Sequence, residues 1–153
     1  MKREPDIIRD VLLFLEDNLI YEDFESANPH IHNGYTVDQI IDSLSEKNPY
    51  YMRADISYAV KQLYMDGFII SNDKPILDGQ KNIIHLKIND ITPKGHDFIE
   101  NVRSDKVWNS VKKSAAKVGI MSLQFIWMTA GSVVQKIATN PEFIQGIIQN
   151  LTR

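Results

Sequence analysis

The sequence predicts an α+β fold, and three observations carry the prediction. Apolar residues recur at three-to-four spacing in several separate stretches, the mark of amphipathic helices. Phe68-Ile69-Ile70 is a short β-type run, and a second resumes at Ile83 and His85 after a polar segment holding Pro75 and Asp78-Gly79. The helical stretches come before and after this hairpin rather than alternating with single strands, so helices and strands segregate.

The first helix is expected from about 5 to 19, where Pro5 suits a first turn and Ile7, Ile8, Val11, Leu12, Leu15 and Leu19 form one stripe. Residues 20–35 are polar and aperiodic and read as a loop, with a short strand near Ile31. Thr36 is placed to cap the next helix and Gln39 to complete a capping box, with Val37, Ile40, Ile41 and Leu44 on the buried side. That helix should stop before Pro49. A third helix over about 52–65 buries Ile56, Ala59, Val60 and Leu63 and ends at Asp66-Gly67. The hairpin follows, with a long tip between Asp73 and Asn82. Thr92 can cap and Pro93 can open a further helix carrying Phe98, Ile99, Val102, Val107, Trp108 and Val111, broken near Ser104-Asp105. From Ile120 to Ala138 the chain reads as apolar almost all round, and Pro141 restarts a last helix with Phe143, Ile144, Ile147, Ile148 and Leu151 in a stripe.

Three helices followed by a hairpin give the order of a winged helix-turn-helix over about residues 1–103, with the 52–65 helix in the recognition position and the hairpin tip as wing. Residues 104–153 form a C-terminal helical extension that serves packing or oligomerisation. Residues 1–103 hold 11 Lys and Arg against 18 Asp and Glu, a balance of −7, whereas residues 104–153 hold 6 against 2, a balance of +4. The acidic first part argues against strong non-specific phosphate binding. Without cysteine neither a disulfide nor a thiolate metal site can form, and the acidic N-terminus does not read as a signal peptide, so a cytoplasmic location is expected. Ile120 to Ala138 contains Ser122, Gln124, Thr129, Ser132, Gln135 and Lys136, too many polar groups for a span needing about 20 predominantly apolar residues. A helix buried by the domain or by a second subunit is the preferred reading.

The candidate readers of double-stranded DNA are Arg53, Ser57, Lys61 and Tyr64, taken to lie opposite the buried face of the 52–65 helix, with Lys74 and Lys81 on the wing. Arginine suits guanine edges, serine bases or phosphates, lysine phosphates, and tyrosine phosphates or stacking. The bland alternative is a solvated face, since Asp55 and Asp66 offset Arg53 and Lys61. Phe125, Ile126, Trp127, Val133, Val134, Phe143 and Ile147 are the candidate interface of a homo-oligomer or a protein partner. His30 and His32 are spaced like metal ligands but lack a second half-site, and His96 lacks a nucleophile or carboxylate facing it; packing against the sheet is its expected role. With no G-x-S-x-G, P-loop or G-x-G-x-x-G present, neither an enzyme, a cofactor, a metal nor a small-molecule substrate is inferred.

The opening Met1-Lys2-Arg3, Gly34-Tyr35 before the second helix, and Ile91-Thr92-Pro93-Lys94-Gly95-His96 followed by Ser104 to Lys113 resemble an uncharacterised bacterial and phage family, domain of unknown function 2513. The resemblance covers most of the chain, departing at Pro93 and over Ile120 to Ala138. It implies a winged-helix-like fold and a prokaryotic or prophage setting, and it carries over no catalytic residue. The expectation is therefore a small DNA-binding regulator. The alternative is a protein-interaction module on the same scaffold that uses its apolar C-terminal helices.

Overall fold

Six helices and six short strands make up the described part of the computed structural model, which comprises residues 4–21, 34–119 and 122–139 and the single positions 142, 145 and 149. The chain divides into two units, residues 1–99 and 100–153.

In the first unit, α1 (Pro5–Asn18) has proline in its first turn and buries Ile7, Ile8, Val11, Leu12, Phe14 and Leu15. The Asn18 amide donates to the Phe14 carbonyl at 2.7 Å, and Leu19 leaves the helix in an extended conformation. β1 (Tyr35–Thr36) leads into α2 (Val37–Lys47) through the expected capping box. The Gln39 N–H donates to Thr36 Oγ1 at 3.2 Å, and the Thr36 N–H donates to Gln39 Oε1 at 2.9 Å, so two otherwise unpaired helix-start donors are satisfied. After the Asn48 to Met52 turn, α3 (Arg53–Met65) buries Ile56, Ala59, Val60 and Leu63. Gly67, at φ 78°, stops it: the Phe68 N–H reaches back to the Leu63 carbonyl at 2.9 Å and the Gly67 N–H to Tyr64 at 3.3 Å. This double closure needs a left-handed residue at the turn, which glycine adopts without strain.

The strands are two or three residues long. β2 (Ile69–Ile70) pairs antiparallel with β6 (Asp90–Ile91), and β1 pairs antiparallel with β5 (Lys87–Ile88). Residues 87–91 thus give their first half to β1 and their second half to β2. The expected long tip is itself paired: β3 (Ile76–Leu77) and β4 (Ile83–His85) form their own ladder with a register shift between Ile76 and Leu77. Its turn is organised by Asp78, whose carboxylate accepts the Gln80 and Asn82 N–H groups at 2.8 Å each and the Asn82 amide at 3.0 Å. The Asn82 bonds hold that carboxyl below its usual range. Lys81 takes φ 63°, a left-handed position in the turn.

α4 (Pro93–Val102) begins against the end of α3, and the division between the units falls within it. Thr92 Oγ1 accepts the Gly95 N–H at 3.1 Å and donates to the Gly67 carbonyl at 2.7 Å, while the Thr92 N–H donates to the Phe68 carbonyl at 3.1 Å. A Cβ at Gly95 would overlap that same Phe68 carbonyl oxygen. Phe68 and Phe98 meet edge to face at 5.7 Å, and Lys94 Nζ lies 4.5 Å above the Phe68 ring. Leu12, Leu15, Ile40, Ile56, Leu63, Phe68, Leu86, Ile88 and Phe98 are fully buried. Each contributes about 1.5–3 kcal/mol relative to exposure.

In the second unit, α5 (Asp105–Val118) starts at the Ser104 cap and ends at Gly119, and α6 (Leu123–Ala138) starts at Ser122, whose hydroxyl accepts the Phe125 N–H at 3.1 Å. The two helices pack on each other and bury Val107, Trp108, Val111, Ala115, Leu123, Ile126 and Ala130. α6 is not apolar all round. At 100° per residue its scattered polar residues gather on one side, where Gln124, Met128, Ser132, Gln135 and Lys136 are exposed. Among the described residues no helix is long and apolar enough to cross a membrane. The strand expected near Ile31, His30 and His32, and the interface residues Phe143 and Ile147 lie outside the described residues.

Candidate nucleic-acid interface

α3 buries Ile56, Ala59, Val60 and Leu63, and that fixes where its other side chains point. Opposite this face stand Ala54, Tyr58, Lys61 and Met65, of which Met65 is 66 % exposed. Of Arg53, Ser57, Lys61 and Tyr64, which the sequence predicts on this side, only Lys61 belongs to it. Residues four apart advance about 40° around a helix, so Arg53, Ser57 and Lys61 climb across a flank. Ser57 and Tyr64 fall within about 40° of Arg53, giving one slanted polar strip.

The strip is bounded at both ends. At the N-terminal end, Arg53 Nη1 donates to Asp42 Oδ1 at 2.8 Å and Nη2 to Asp38 Oδ1 at 3.4 Å, both carboxylates belonging to α2. At the other end, Lys61 Nζ donates to the Lys81 carbonyl at 2.6 Å, which ties α3 to the hairpin tip. Lys74 and Lys81 are exposed on that tip. Its strands also expose Ile76, Leu77 and Ile84, the last 61 % accessible. Sequence reasoning missed two groups here. Asp38 and Asp42 are visible as acids one turn apart on the polar side of α2, but their engagement with Arg53 depends on how α2 and α3 cross. Of the apolar tip residues, Ile76 and Ile84 are signalled by β-branched character alone, and Leu77 by nothing but its apolar side chain.

His96 is exposed rather than packed against the sheet, because it points outward from the first turn of α4 into a cleft shared with Glu16, Tyr21 and Asp90. Among the described residues no group of three or more His, Asp or Glu side chains could hold a metal. A second groove lies between α1, α2 and the turn after α2, where the Tyr51 hydroxyl donates to Asp10 Oδ2 at 2.6 Å. Burial, then the bond to Asp10 and the Asp10 and Asp6 charges, push the Tyr51 phenol well above its usual range. Of the expected oligomer interface, Ile126 is buried at 2 % exposure between α5 and α6, so it is spent on its own unit; Phe125, Trp127, Val133 and Val134 are half-buried.

A family model described as "Hypothetical protein (DUF2513)" matches residues 2–121, ending before α6. An uncharacterised protein of Haemophilus influenzae is 28% identical over 138 residues, covering 90% of this chain and 98% of that protein. No solved structure matches.

Proposed function

The chain belongs to the DUF2513 family of hypothetical proteins, and from that premise we propose that it is a DNA-binding module of the winged-helix type. Its first unit runs helix, strand, helix, helix, strand, hairpin tip and returning strand, with the first and second strands paired to successive halves of the return. That order is what the winged-helix reading requires. The observation that carries the functional reading is the 2.6 Å tie from Lys61 to the Lys81 carbonyl, which keeps the hairpin tip beside the polar strip of α3. A helix entering a major groove with a hairpin beside it would bring Arg53, Ser57 and Tyr64 to base edges and phosphates, and Lys61, Lys74 and Lys81 to the backbone. The acidic balance of this part makes its hold on arbitrary DNA weak.

Fluorescence anisotropy of full-length protein with mixed-sequence duplex at low and moderate salt tests the reading. Binding should fall with salt, and Arg53→Ala with Lys61→Ala should weaken it and flatten its salt dependence. No binding at low salt, or an unchanged double mutant, would reject it.

A second reading, a protein-interaction module, is favoured by the exposed Ile76, Leu77 and Ile84 on the tip. It predicts self-association that sedimentation detects, lost on truncation after Gly119 if the C-terminal helices carry it, or in Ile76→Ser with Ile84→Ser if the tip does.

A further inference from the structure

Between α2 and α3 one cation stands between two anions. Asp38 and Asp42 lie one turn apart on α2, and both hold the guanidinium of Arg53, the first residue of α3. The three side chains are 61 %, 75 % and 71 % exposed for Arg53, Asp38 and Asp42, so burial does not force the pairing. Exposed pairs of this kind bias an equilibrium by about five-fold or less, which makes the cluster a weak stabiliser of the fold. Its effect on Arg53 is larger. A guanidinium grips phosphate or guanine through two parallel N–H groups, and here Nη1 and Nη2 are both engaged by carboxylates. The same carboxylates put two negative charges beside the strip that would face a polyanion.

We propose that Asp38 and Asp42 withhold Arg53 from DNA of arbitrary sequence, so that the α3 strip engages firmly only where a base edge offers the guanidinium a paired acceptor. This rests on the DNA-binding reading. Asp38 and Asp42 are positioning residues that act through Arg53, and they account for an acidic surface next to a reader helix. A phosphate is present at every step of a duplex, whereas the two acceptors on a guanine edge occur only in the right register. Release is easy because the pairs are exposed, so the device selects among sites without closing the face.

The test compares four full-length proteins on mixed-sequence duplex at low and moderate salt: the unaltered chain, Asp38→Asn with Asp42→Asn, Arg53→Ala, and all three changes together. Asparagine keeps the shape of aspartate, and thermal melts confirm that each protein is folded. The double asparagine variant should bind roughly ten-fold tighter at low salt, with a salt slope steeper by about one. In the Arg53→Ala background that gain should shrink to about two-fold, since the remaining effect is charge alone. An equal gain in both backgrounds, or none in either while the unaltered chain binds, would overturn the proposal and leave the DNA reading standing. Absence of binding by all four at low salt would overturn both.

Discussion

Gly95→Ala separates a packing argument from a propensity argument, because the two predict opposite signs. In an exposed helix, alanine for glycine stabilises by about 1 kcal/mol. At Gly95 the added methyl meets the Phe68 carbonyl oxygen, and that oxygen already accepts the Thr92 N–H at 3.1 Å. Relief requires α4 to retreat from the end of α3, which strains the Thr92 hydroxyl bond to Gly67 and loosens the contact of Phe98 with Phe68. Overpacking of this kind costs about 1–3 kcal/mol, and each lost hydrogen bond about 1 kcal/mol. Set against the propensity gain, the net loss is about 2 kcal/mol. For a unit of this size that lowers Tm by roughly 8–16 °C, readable by circular dichroism. Gly67→Ala is the control, since nothing lies within 4 Å of its missing Cβ and only its φ of 78° is strained, a cost of about 1 kcal/mol. A Gly95→Ala protein at least as stable as the parent would refute the close approach.

Two further outcomes are expected. Thr36→Ala removes the hydroxyl that accepts the Gln39 N–H and should cost about 1 kcal/mol in a urea titration, with Thr36→Ser recovering most of it. Tyr51 should titrate above the ordinary phenol range in an absorbance titration at alkaline pH. Its folded pKa lies above the unfolded value, so the stability it contributes is present in full below about pH 10 and is lost as the pH rises through the folded value. Asp10→Asn should bring its titration back toward the ordinary phenol range, and an unmoved curve would show that burial alone is responsible.

Local chemistry was the legible part of this chain. Thr36 with Gln39, Asp66-Gly67, Thr92-Pro93 and Ser104 each announced a helix end, since a cap is decided within three or four residues. Long-range pairing was not legible, because strands of two residues such as Tyr35–Thr36 and Lys87–Ile88 show no alternation to read. Phase was the other failure. Arg53, Ser57 and Lys61 look aligned at a spacing of four, yet they climb across a flank, and α6 looks apolar only until Gln124, Ser132 and Gln135 are wound onto one side. The engagement of Arg53 by Asp38 and Asp42 was hidden for a different reason, since it depends on two helices meeting across the turn at Asn48 to Met52.

The hairpin segment starts at Phe68 and ends at Thr92, and those two residues are bonded directly to each other. The intervening segment is therefore an excursion whose ends are pinned together independently of its length. Extra residues between Gly79 and Lys81 would break the Asp78 turn and the Lys61 tie to the Lys81 carbonyl, but the bond between Phe68 and Thr92 would keep the change from propagating into the start of α4. A peptide tag spliced into that turn would accordingly perturb the tip and leave the junction at Phe68 and Thr92 in place.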